Sequence, residues 1–76
     1  MEIEQASNVI REIFAMCHHV DGKSIKLVPP DANNALSKGF QIQIERVNNE
    51  LEQCITPIAN HNNLSLHREG PLLVIY

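Results

Sequence analysis

The side chains best equipped for chemistry are two thiols and four imidazoles: Cys17, Cys54, His18, His19, His61 and His67. Cys17, His18 and His19 are consecutive, and the others are scattered. A zinc centre takes four N or S ligands, usually from tight pairs such as C-x₂-C. No such pair exists in this chain. A thiol beside an imidazole can also become a nucleophile, because the imidazole favours the thiolate. Both cysteines, however, fall on the apolar stripes of two expected helices, where a free cysteine behaves as a small hydrophobe. His18, His19 and His61 fall where those helices end, and a helix dipole favours cations there. Cys17, His18, His19 and His61 are thus the residues from which a metal or thiol centre would be built, and their spacing calls for none. We expect no metal and no cofactor.

Other chemistries leave even less trace. Nine acidic residues are spread over helix ends, turns and strands, so no pair of carboxylates is set up for acid–base work. The glycines, Gly22, Gly39 and Gly70, are isolated and form no phosphate loop. Six Lys and Arg residues (Arg11, Lys23, Lys26, Lys38, Arg46, Arg68) form no cluster, and the net charge is −3. Nucleic acid and anionic lipid therefore find no electrostatic footprint. No apolar run approaches the ~20 residues of a membrane span. Two cysteines make no disulfide framework, and the acidic opening Met1-Glu2-Ile3-Glu4 lacks the basic start of a signal peptide. The expectation is a reduced, cytoplasmic protein, not an enzyme.

At 76 residues, with 43 % apolar content and few aromatics, the chain reads as one small domain, 1–76, with a core of Ile, Leu and Val. Apolar residues at Ile3, Ala6, Val9, Ile10, Ile13, Phe14, Cys17 and Val20 recur in steps of three and four, which predicts a helix over 3–20 that Gly22 terminates. Lys23–Val28 alternates and runs into Pro29-Pro30, the mark of an edge strand. Asp31–Leu36 reads as a loop. Gly39–Glu45 alternates strictly, with Phe40, Ile42 and Ile44 inward and Gln41, Gln43 and Glu45 outward, so one face of the sheet is solvated and pairing is antiparallel. Asn49 as cap and Glu52 three residues on predict a second helix carrying Leu51, Cys54, Ile55 and Ile58 on one face, perturbed by Pro57 and ended by Asn60–Asn63. Leu64–His67 is a strand, Arg68–Pro71 a turn, and Leu72–Tyr76 a continuous apolar strand.

The order α-β-β-α-β-β predicts an α+β two-layer sandwich: a four-stranded, mainly antiparallel sheet with both helices on one face. It is the order obtained by moving the first strand of a ferredoxin-like β-α-β-β-α-β chain to its end. Leu72–Tyr76 and Phe40–Glu45 then lie centrally, and the Lys-, Pro-, Ser- and His-bearing strands form the edges. On the open face Gln41, Gln43 and Glu45 lie beside one alternating set of the closing strand, either Leu72, Val74 and Tyr76 or Leu73 and Ile75. RNA-binding sheets need several exposed aromatics and basic surroundings, which this face lacks. An apolar strip with a polar rim suits a protein contact. The expected function is self- or hetero-association through Gln41, Gln43, Glu45, Val74 and Tyr76, with a protein partner or homodimer and neither nucleic acid nor membrane. The alternative is a metal- or thiol-dependent binding protein or enzyme built on Cys17, His18, His19 and His61.

Overall fold

The computed structural model describes residues 1–18, 20–30 and 39–76. His19 and the expected loop over 31–36 lie outside the described residues. The elements are α1 (Ile3–Met16), a 3₁₀ turn (Gly22–Ser24), β1 (Ile25–Val28), β2 (Gln41–Ile44), α2 (Asn49–His61), β3 (Leu66–Glu69) and β4 (Leu72–Ile75). The class is α+β, with, among the described residues, two α-helices and one antiparallel sheet of order β1-β2-β4-β3. The two most buried strands, β2 and β4, are central. Lys26 and the prolines after Val28 mark β1 as an edge, as their chemistry requires.

Register decides which side chains meet the helices. Ile42 pairs with Ile75, and Ile44 with Leu73. Ile25 and Leu27 extend that face onto β1, and Leu66 onto β3. Ala6, Val9 and Ile13 of α1 and Ile55, Ile58 and Ala59 of α2 close over it to form one core, with Val47 at its margin. Spacing of three and four places each helical trio on one stripe. The rest of the expected α1 stripe flanks this centre: Ile3 and Phe14 are exposed, and Ile10 is half-buried.

Several elements differ from expectation. Helix α1 ends at Met16 rather than Val20, because Cys17 turns to extended backbone (φ −113°, ψ 101°) while its N–H still bonds Ile13 O. His18 therefore lies beyond the helix, and no basic residue occupies its last turn. Gly22 does not terminate the helix in a left-handed conformation. It opens the 3₁₀ turn, where the Asp21 carboxylate accepts from Lys23 N–H. The cap of α2 is Asn48, not Asn49: its side chain accepts from Leu51 N–H at 2.7 Å. Glu52 is thereby one residue too late for a capping box. At the other end His61 does sit in the last turn, and Asn63 takes the left-handed conformation (φ 58°) while Leu64 N–H reaches back to Ala59 O. Strand β3 runs through Arg68 and Glu69, so the β3–β4 turn is only Gly70-Pro71, with Gly70 at φ 56°. A positive φ at the first of two turn residues is what a tight hairpin matched to strand twist requires.

The largest correction concerns the cysteines. Cys17 and Cys54 are joined by a disulfide, with Cα atoms 6.0 Å apart, so neither is a separate buried thiol. The bond ties the end of α1 to the second turn of α2. A cross-link over 37 residues removes loop entropy from the unfolded chain worth about 4 kcal/mol. Total stability for a domain of this length is on the order of 4–11 kcal/mol, so the bond is a major share of it. A disulfide also belongs to oxidising surroundings, contrary to the expected reduced state.

Candidate functional site: an open sheet face and a disulfide pocket

The face of the sheet away from the helices is fixed by the same registers. Gln43 pairs with Val74, and these two are flanked by Lys26 on β1 and His67 on β3. Val28 pairs with Gln41 on one side of this row, and Leu72 with Glu69 on the other. Tyr76 and Ser65 exchange backbone hydrogen bonds of 2.8 and 3.0 Å, extending the β3–β4 ladder past Ile75. The structure thus brings Gln41, Gln43, Glu45, Val74 and Tyr76 onto one face, and chooses Leu72, Val74 and Tyr76 over Leu73 and Ile75 as the outward set. Among the described residues, no helix or strand lies over it.

This face has low relief. Val74 and Gln41 are each only 4 % exposed, while Gln43, Glu45, Leu72, His67 and Tyr76 are half-exposed. Polar contacts stand at its margins: Lys26 Nζ pairs with Glu45 Oε1 at 3.2 Å on the β1 side, and His67 Nε2 lies 3.1 Å from Glu69 Oε1 on the β3 side. An apolar centre with a polar rim is the layout of a contact surface.

A second feature was not legible in the sequence. A pocket of about 250 Å³ is lined by Met16, Cys17, His18, Arg46, Asn48, Glu50, Leu51 and Cys54, with the disulfide in its wall. The β2–α2 junction that forms its other side is held by the hairpin. Val47 N–H donates to Pro71 O at 2.7 Å, and Arg68 Nη2 donates to Val47 O at 2.8 Å. Arg68 Nη1 also meets Glu52 Oε2 at 2.6 Å, and Nε donates to Gly70 O. Clamped between these contacts, Arg46 takes a left-handed conformation (φ 60°) and lines the pocket.

Among the described residues, the metal and thiol candidates do not gather into one centre. Cys17 is consumed in the disulfide, and His18 shares its pocket. His61 borders a different groove with Glu12, Met16, Pro57 and Ile58. Among the described residues no three His, Cys, Asp or Glu side chains are grouped to hold an ion. Nor, among them, is any helix long and apolar enough to cross a membrane. Comparison of the chain with known protein families, with curated proteins and with solved structures gives no match.

Proposed function

We propose that this chain is a small interaction domain that associates through its open sheet face, with a second copy of itself as the partner. The observation that carries this reading is the β2–β4 register, which aligns Val74 with Gln43 on the uncovered side and sets Leu72 and Tyr76 beside them. Sheets stack face to face about 10 Å apart, and low relief suits such packing. Charge supports a second copy as occupant. The β1 edge carries Lys26 and the β3 edge carries Glu69. A two-fold axis along the strands lays β1 over the partner's β3, which sets Lys26 over the row of His67, two residues along the strand from Glu69.

Size sets the strength. Four strands of four residues span a patch of roughly 20 by 15 Å. That is below a standard interface, so the dimer is weak and reversible. The test is sedimentation across concentration for the native chain and for Gln43→Glu. The new carboxylate lies opposite Lys26, which keeps the monomer stable, yet it would be buried at the centre of a dimer. A concentration-dependent dimer lost in this variant supports the reading. A monomer at every concentration, or a dimer indifferent to the variant, sinks it.

A further inference from the structure

We propose that the pocket beside the Cys17–Cys54 disulfide is a thiol-exchange site, at which a small aliphatic thiol attacks Cys54 and releases the end of α1. This goes beyond the sheet-face reading and does not depend on it. Three observations converge. The bond lies in the wall of a pocket of about 250 Å³ whose lining includes the exposed residues Met16, His18, Arg46 and Glu50. The two cysteines, which both line the pocket, are not equally exposed: Cys17 is only 5 % exposed and belongs to the core, whereas Cys54 is half-buried at its margin. Finally, the two ends differ in what they hold. Cys54 sits inside α2, whose backbone bonds keep it in place, whereas Cys17 caps α1 in extended backbone and leads into the 3₁₀ turn.

Exchange needs a thiolate to reach one sulfur along the S–S axis, and access decides which. The incoming thiolate forms a bond to Cys54 Sγ as the Cys17–Cys54 bond breaks. The electron pair leaves on Cys17 Sγ, which takes a proton from water. A second thiol then attacks the mixed disulfide, leaving Cys54 as a thiol. In sum, the protein disulfide gains two electrons and two protons, and two thiols become one small disulfide. Because the cross-link spans 37 residues of a 76-residue chain, its reduction lowers the melting temperature by roughly 15 °C or more. The redox state of the surroundings thus sets how firmly α1 is held against α2.

The experiment exposes the oxidised native protein briefly to 2-mercaptoethanol, quenches with excess maleimide before a second thiol attacks the mixed disulfide, then maps both cysteines by peptide mass. The attacked sulfur keeps the mercaptoethanol, and the released one carries the maleimide. We expect mercaptoethanol on Cys54 in about tenfold excess over Cys17, at a rate unchanged by low urea. Mercaptoethanol on Cys17 in equal or greater share overturns the proposal. So does a reduction rate that climbs with urea as global unfolding does, or a melting temperature that full reduction leaves unmoved.

Discussion

Gln43 and Val74 face each other across the two central strands, on the side of the sheet opposite both helices. One partner is a half-exposed amide and the other an apolar side chain almost closed off by its neighbours. The pair marks the centre of a flat surface whose margins are charged. The Arg68 clamp and the disulfide tie together the sheet and the two helices that pack on its other face.

Gly39 is required by contact rather than by backbone conformation. Met1 and Phe40 exchange hydrogen bonds, Phe40 N–H to Met1 O at 2.8 Å and the Met1 amino group to Phe40 O at 3.2 Å. A Cβ on Gly39 would lie 2.7 Å from both Met1 N and Met1 O. Gly39→Ala should therefore cost about 1–3 kcal/mol in urea unfolding, through displacement of the first residue.

The cap of α2 distinguishes neighbouring asparagines. Asn48→Ala loses the bond to Leu51 N–H and should destabilise by about 1 kcal/mol. Asn49→Ala, at the first helical position, should change the urea midpoint by much less. Equal effects would contradict the assigned cap.

Arg68 joins the hairpin to the start of α2 through Glu52 Oε2, Val47 O and Gly70 O. Arg68→Ala should cost about 1–3 kcal/mol, since it leaves the Val47 carbonyl without this donor near the core. Arg68→Lys should recover little, because one ammonium cannot serve the directions that a guanidinium fork reaches. The Glu52 pair is partly exposed, so a double-mutant cycle should attribute no more than about 1 kcal/mol to it.

Deleting Ile75 and Tyr76 removes a fully buried side chain and the last rung of the β3–β4 ladder. Both central pairings of β4 lose their Ile75 partner. The shortened chain should show no cooperative thermal transition by circular dichroism.

Much of the architecture was legible because its signals are local and periodic. The alternation of Phe40 to Glu45 and the continuous run Leu72–Tyr76 identify two central strands. Lys26, with the prolines after Val28, identifies an edge. The placement of Gln41, Gln43 and Glu45 on one face followed from strand period alone. The alternating set of the closing strand that joins them did not, because a strand apolar on both faces carries no phase. Pairing of Ile42 with Ile75 supplies it.

The rest depends on contacts between distant segments. Cys17 and Cys54 each fit an apolar helical stripe, so nothing local separates a buried thiol from half of a disulfide. Only the packing of α1 on α2 brings them together. The early end of α1 coincides with that meeting, at Cys17. The Arg68 clamp is equally non-local: an arginine between a strand and a glycine reads as turn until Glu52 and Val47 are placed beside it. Arg46 carries no signal for its left-handed backbone, because the constraint comes from the hairpin gripping Val47.

Dilution of the native protein followed by two-dimensional amide NMR tests the open face most directly. The account predicts concentration-dependent shifts confined to Lys26, Gln41, Gln43, Glu45, His67, Val74 and Tyr76, with the outer surfaces of α1 and α2 unmoved. Shifts centred instead on Ile3 and Phe14, or spectra identical at all concentrations, would contradict it.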